Sequence, residues 1–164
     1  FIIIMTNPKR QEYIKLLSDR LISSKEKLSL CESCTGGLLS KILTDTPGSS
    51  EWFEGSIISY SNALKTRIGV NEETLLNHGA VSENTAIEMA KNTKDLINSS
   101  VCVSITGIAG PEGGSDEKPV GLVYFCFYKS ELNYKIFCKN FNGDRLSIRE
   151  QAADEAIKIV VDNF

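Results

Sequence analysis

A single histidine, His78, occurs among the 164 residues, so any Ser-His-Asp or Cys-His scheme has to run through that one ring. Gly79 follows it and reads as a helix C-cap, which suits His78 to a hydrogen-bonding or cationic role at a helix end. No apolar run near the start approaches the ~20 residues needed to span a bilayer. The stretch Phe1 to Met5 leads into Thr6, Asn7 and Pro8 rather than a cleavage-site pattern. Positive charge is not in excess: 18 Lys and Arg face 21 Asp and Glu, a net charge of −3 that offers no general attraction to phosphate backbones or anionic lipid. Neither nucleic acid nor a membrane is an expected partner. A second C-x-x-C that would complete a four-thiolate zinc site is missing, and Cys102 and Cys138 lack ligand spacing, so no metal or other cofactor is expected. No G-x-G-x-x-G follows a strand, which excludes a dinucleotide-dependent dehydrogenase. Internal repeats, low-complexity tracts and linkers are also missing.

What remains is the composition of an ordinary globular protein, 41% hydrophobic and 24% charged. A chain of 164 residues suits one domain over 1–164 and buries about 70% of the surface its unfolded form exposes. Met5 reads as a native start, with Phe1 to Ile4 an added remnant or, alternatively, a short strand, and residues 1–8 as a lead-in outside the folded part. Of the five cysteines, Cys102 and Cys126 lie in apolar runs, where the side chain behaves as a small buried hydrophobe. An odd number of such cysteines points to a reducing cytoplasm.

Hydrophobic spacing predicts an amphipathic helix from Lys9 to Ser24, a short strand from Leu28 to Cys31, and a helix through Leu38 to Leu43 that ends at Thr46-Pro47-Gly48. A strand from Trp52 to Tyr60 follows, then short helices over Asn62 to Ile68 and Glu72 to Asn77, and a longer one from an N-cap at Ser82 towards Ile97. Val101 to Ile105 reads as a buried strand, Val120 to Tyr128 and Tyr134 to Phe141 as a hairpin, and Asp144 as the cap of a final helix. The order implies an α/β fold, a three-layer α/β/α sandwich with a mixed sheet, whose ligands sit beyond the strand ends. The turns after Cys31 and Ile105 fall there.

Ser33 occupies the strand-to-helix turn, where free N–H groups and a helix dipole favour developing negative charge, and Gly36 and Gly37 permit close approach of a substrate. Serine and threonine are also the commonest helix caps, and from this turn alone capping by Ser33 or Thr35 is the preferred reading. Tyr60 and Lys65, at a strand end and helix start, are candidate partners. A buried lysine loses its proton below the reference value of ~10.4 and can then deprotonate a hydroxyl. By composition alone, Lys65 is a solvated helix residue and Tyr60 a sheet residue with its hydroxyl at the surface. Cys31-Glu32-Ser33-Cys34 is a C-x-x-C placed where a thioredoxin-like redox pair would sit, and it competes for the same turn. The glycine-rich loop from Thr106 to Pro119 is long for a connector and could present N–H donors to a phosphate, and Arg145 at the last helix start could offer a planar fork.

ESCTGG (32–37), TPGSSEWFEGSIISYSNALK (46–65), HGAVSE (78–83), SITGIAGPEGG (104–114), EKPVGLVY (117–124) and GDR (143–145), in one order, closely resemble the CinA C-terminal-domain family. The resemblance runs from about Lys9 to the last helix and matches the stand-alone form, without the further N-terminal domain some relatives carry. That family contains nicotinamide-nucleotide amidases, which convert nicotinamide mononucleotide and water to nicotinate mononucleotide and ammonia in pyridine-nucleotide recycling. The resemblance implies Ser33 as nucleophile, Lys65 and Tyr60 as the groups that activate it and move its proton, and substrate contacts at Thr35, Gly36, Gly37, Ser50, Thr106, Gly110 and Arg145. It also implies a small-molecule substrate and a homo-oligomer. Two other readings stay open: a thiol–disulfide oxidoreductase using Cys31 and Cys34, and a nucleotide-binding module without turnover.

Overall fold

In the computed structural model the described residues are 8–164, and the readings of Phe1 to Met5 lie outside them. Pro8 belongs to the first helix, α1 (Pro8–Ser24), rather than to a lead-in; its missing N–H is harmless in a first turn. Ile14, Leu17 and Leu21, three and four residues apart, form the buried stripe of this helix.

Five strands make one sheet: β1 (Leu28–Glu32), β2 (Phe53–Ile58), β3 (Val101–Gly107), β4 (Leu122–Ser130) and β5 (Asn133–Asn140), in the order β2-β1-β3-β4-β5. β1 runs parallel to β2 and β3, while β4 is antiparallel to β3 and β5, so the sheet is mixed. The helices are α2 (Leu38–Thr44), α3 (Asn62–Arg67), α4 (Glu72–His78), α5 (Glu83–Ile97) and α6 (Arg145–Asn163), with a short 3-10 turn at Ser49–Glu51 that the sequence pattern did not predict. Among the described residues no helix is long and apolar enough to cross a membrane.

Alternation along the strands divides the core. Leu28, Leu30, Val103, Ile105, Val123, Phe125 and Phe127 share one cluster with α1, α2 and α6, in which Ile148, Ala152, Ala156 and Val160 of α6 are buried. The opposite face, with Cys31, Cys102, Cys126 and Tyr128, packs on Ala86, Met89 and Ala90 of α5. Each large aliphatic or aromatic side chain so buried contributes about 1.5–3 kcal/mol before chain entropy is counted. At the free edge β5 presents Lys135 and Lys139, charges that discourage further strand pairing.

Four helix starts, those of α3, α4, α5 and α6, carry a side-chain cap, and two of them are the caps the sequence predicts. The Ser82 side chain accepts from the Thr85 N–H at the start of α5, and that of Asp144 from the Ser147 N–H at the start of α6. Register then levels the carboxyl ends of the parallel strands: Glu32 stands opposite Ile58 on one side and Ile105 on the other. Ser33, Ser59 and Thr106 therefore converge.

The long loop between β3 and β4 closes on itself through Gly121 N–H to Ile108 O at 2.8 Å and Ile108 N–H to Leu122 O at 2.9 Å. Gly121 holds φ +96°, and a Cβ there would lie 2.0 Å from the Phe141 carbonyl oxygen. Gly121→Ala is expected to destabilise the fold by about 3 kcal/mol or more through left-handed strain and overpacking. Urea denaturation checks this; a midpoint equal to wild type would show that the loop base is free to move.

Candidate active site

The turn after β1 is tied down at almost every backbone group. Ser33 N–H donates to Ile105 O at 2.9 Å, Gly36 N–H to Ser33 O at 3.0 Å, and Leu38 N–H to Thr35 O at 3.0 Å. Gly36 and Gly37 hold φ of +57° and +95°, which glycine adopts without the penalty of a side chain. The Cys34 N–H faces its own thiol, and the Thr35 N–H, on a fully buried residue, has no hydrogen-bond acceptor among the described residues.

The expectation that the start of the next helix faces the nucleophile needs correction. Neither Ser33 nor Thr35 caps α2: its N-cap is Gly37, which makes no side-chain cap bond. The carboxylate of Glu32, completely buried, accepts instead from Gly37 N–H at 2.9 Å, Leu39 N–H at 3.2 Å, Ser40 N–H at 2.8 Å and the Ser40 hydroxyl. The donors that give a helix N-terminus its positive end are therefore already occupied. A carboxylate on the buried side of a strand was the visible signal for this role.

Lys65 is not solvated; it is 1% exposed. Ser61 caps α3 by accepting from Leu64 N–H at 3.1 Å, and the helix so started carries Lys65 inward. Its Nζ lies 2.9 Å from Ser33 Oγ, 2.6 Å from Ser59 O and 3.2 Å from Tyr60 O. No carboxylate pairs with it among the described residues. Desolvation lowers its pKa below the ordinary lysine value of 10.5, against a smaller opposing effect of the Cys31 and Cys34 thiols. A neutral amine has two N–H bonds and one lone pair. With both N–H bonds directed at carbonyls, the lone pair is left for the Ser33 hydroxyl proton.

A cavity of about 250 Å³ opens over this pair, lined by Ser33, Cys34, Tyr60, Lys65 and the Thr106–Gly110 segment, with Arg145 at its edge. Tyr60 is 57% exposed. Its hydroxyl accepts from Arg145 at 3.1 Å and bonds neither Ser33 nor Lys65. Arg145 also donates to Gly110 O at 2.8 Å, so it bridges the glycine-rich loop to Tyr60. Thr106 lines the cavity with its hydroxyl donated to Ala80 O at 2.7 Å. Thr35, Gly36 and Gly37 do not line it, and the Thr35 hydroxyl is buried without a partner. Ser50 lies before β2, at the opposite end of the sheet from Ser33; the five steps from Leu28 to Ser33 alone span roughly 17 Å at ~3.3 Å per residue. One turn beyond Arg145, the half-buried Arg149 reaches Cys34 O at 3.1 Å and Thr35 O at 2.7 Å. Its i, i+4 spacing from Arg145 was the available signal. A larger cavity of about 360 Å³, between α1 and α6, contains the Arg10 ion pairs with Glu150 and Asp154 and has no nucleophile.

The profile of the CinA C-terminal domain matches residues 10–164. The chain belongs to the CinA C-terminal domain family. It is 41% identical over 161 residues to the nicotinamide-nucleotide amidohydrolase PncC of Escherichia coli K12, covering 98% of both chains. It is 47% identical over 149 residues to a CinA-like protein of Thermotoga maritima, there covering 88% of this chain and 34% of the relative, so it spans about a third of that longer protein. Among solved structures, the competence/damage-inducible protein of Agrobacterium tumefaciens superposes with a TM-score of 0.91 at 32% identity, over 96% of this chain and 97% of that one.

In this CinA domain the C-x-x-C is poorly arranged for redox exchange. Cys31 belongs to the core on the α5 side of the sheet and Cys34 to the core on the other. Burial raises the Cys31 thiol above its ordinary value and pushes Cys34 up to about 12, so neither offers a thiolate near neutral pH. Cys102 and Cys126 are buried likewise, and Cys138 alone of the five is exposed. One thiol per native chain is expected to react rapidly with a colorimetric disulfide reagent at pH 8, rising to five in denaturant. Rapid modification of two or more in the native protein would restore the redox reading.

Proposed function

We propose that the chain is a nicotinamide-nucleotide amidase that cleaves the carboxamide of nicotinamide mononucleotide through a Ser33 acyl-enzyme, in pyridine-nucleotide recycling. The observation that carries this reading is the Lys65 amine, buried without a counter-ion and 2.9 Å from Ser33 Oγ. The full-length similarity to PncC supports the substrate class. A module that only binds nucleotides has no use for such a lysine.

Lys65 takes the Ser33 hydroxyl proton as Oγ bonds to the carboxamide carbon. The oxygen of the tetrahedral intermediate gains negative charge beside Ser33 and Cys34, the residues of the turn that line the cavity, rather than at the helix start that Glu32 occupies. As the C–N bond breaks, Lys65 passes its proton to the leaving nitrogen and ammonia departs. Water then gives a proton to Lys65 while its oxygen bonds to the acyl carbon; the Ser33 ester breaks, the proton returns to Oγ, and nicotinate mononucleotide leaves. Electron withdrawal by the substrate's pyridinium ring activates the carbonyl, so turnover in chelator is part of the proposal.

Lys65 is thereby the proton acceptor. Tyr60 acts at the mouth of the cavity, where its phenol and the Arg145 guanidinium face the substrate together. Thr106 and Gly110 border the substrate, Arg145 serves its phosphate, and Gly36 and Gly37 shape the turn. Contact of Ser50 with substrate requires a second copy, given its place at the far end of β2, and the homo-oligomer is proposed on the same ground. Five free cysteines support a reducing, cytoplasmic setting.

Ammonia release from nicotinamide mononucleotide, with chelator and reductant present, is expected from wild type and to fall at least about a thousandfold in Ser33→Ala. Binding without release by wild type would favour the binding module instead. The pH profile tests the base. Charged Lys65 has three N–H bonds and no lone pair, so kcat/KM is expected to rise with unit slope and level off below the ordinary lysine value of 10.5. Lys65→Arg, which stays charged, should be inactive throughout; a flat profile or an active arginine variant counts against Lys65 as base.

A further inference from the structure

We infer that Glu112 is a specificity residue: its carboxylate takes the ribose hydroxyls of the substrate, so the site selects a ribonucleotide by its diol as well as by its phosphate. This rests on the amidase reading above. Glu112 lies in the glycine-rich loop between β3 and β4 and is exposed, yet it lines the cavity over Ser33. Asp116 and Glu117, the other acids of that loop, do not line it. Among the described residues Glu112 makes no hydrogen bond or ion pair, so both of its oxygens are available to a ligand.

The segment that carries Glu112 is packed down on the base of its own loop. A Cβ at Gly110 would lie 2.5 Å from Val120 Cγ1, and one at Gly114 would lie 2.9 Å from the Val120 nitrogen. Glycines two positions before and two after Glu112 thus bring the chain closer to Val120 than a side chain permits, and the carboxylate is presented from an anchored stretch of loop.

Its place along the cavity follows from Arg145, which donates to Gly110 O at 2.8 Å and to the Tyr60 hydroxyl at 3.1 Å. Glu112 is two residues beyond Gly110, at most about 7.6 Å between Cα atoms. Opposite charges therefore line one part of the cavity without pairing, because the bonds of Arg145 go to neutral oxygens. Ser33 and Lys65 are buried, at the floor; Arg145 and Glu112 are exposed, at the mouth.

The substrate is laid out in the same order. Its ribose joins the carboxamide ring to the phosphate, so a molecule with its carboxamide at Ser33 and its phosphate at Arg145 has its ribose at the mouth, beside Glu112. The pyridinium ring belongs deeper, where Ala80, Val81 and Ile108 supply apolar wall. An ionised carboxylate can accept from both hydroxyls of a vicinal diol, and such charge-assisted bonds are stronger than neutral ones. In a β-ribonucleotide the two hydroxyls project from the ring face opposite to the one bearing the phosphate arm. An anion for the diol and a cation for the phosphate can thus serve one molecule while staying apart.

The test compares wild type, Glu112→Ala and Glu112→Gln on nicotinamide mononucleotide and on its 2′-deoxy analogue, with Ser33→Ala as the control for turnover. Wild type is expected to prefer the hydroxylated substrate about 10- to 100-fold in kcat/KM, the preference lying mainly in KM. In Glu112→Ala that preference should fall below about threefold, and Glu112→Gln, which keeps an acceptor and loses the charge, should fall between. Both variants are expected to melt close to wild type, since the exposed Glu112 side chain bonds nothing in the fold. A wild type indifferent to the 2′-hydroxyl would overturn the inference. So would a Glu112→Ala variant that slows both substrates equally, which would mean that the carboxylate serves the pyridinium charge instead. The same preference is read as a ratio of dissociation constants by calorimetry. A wild type that binds the mononucleotide without releasing ammonia would therefore overturn the amidase reading, and the ratio would still judge the Glu112 contact by itself.

Discussion

The structure around the site depends on keeping one amine dry and unpaired. Lys65 is buried with two backbone carbonyls and a hydroxyl as its neighbours, and a carboxylate in that position would stabilise the ammonium and leave no base. Yet Glu32 directly precedes Ser33 in the chain and is itself fully buried. The fold resolves this by giving the carboxylate three backbone N–H groups and a hydroxyl of α2 as partners, so its charge is compensated on the face away from the lysine. Capping of α2 and the absence of a counter-ion beside Lys65 are one arrangement rather than two.

The remaining parts of the site are divided among elements far apart in sequence. Parallel pairing of β1 with β2 and β3 brings three strand ends level, which no local interaction could do. α6 then crosses one face of the sheet and extends two arginines from successive turns: Arg145 engages Tyr60 and the glycine loop, while Arg149 engages the nucleophile turn. Substrate-facing and backbone-facing functions are thus assigned to neighbouring positions on a single rigid rod.

Much of this fold was legible residue by residue because the signals are local. Ser82 and Asp144 cap their helices as read, since a cap needs only the next three residues, and the hairpin of β4 and β5 follows from its own pattern. Lys65 was not legible in this way: composition makes it a solvated helix residue, and only resemblance to a family placed it beside Ser33. The helix dipole was credited to Ser33 because a strand-turn-helix pattern does not disclose which group occupies the first N–H donors. Nor does sequence reveal that the Tyr60 hydroxyl meets Arg145 instead of Lys65, a contact across 85 positions set by sheet register and the approach of α6. Arg149 was marked only by its spacing from Arg145, which does not disclose the carbonyls it holds.

Four cysteines inside the core have a further consequence for survival. While the chain is folded their thiols are inaccessible and firmly protonated, so an oxidant in the surroundings finds only Cys138. Once the chain opens, all five ionise as ordinary thiols, and a sulfenic acid or a mispaired disulfide formed then can no longer be accommodated in spaces sized for bare sulfur. Oxidation would act as a ratchet on unfolding, and the working lifetime under oxidative conditions would be governed by how often the molecule opens rather than by how stable it is at equilibrium.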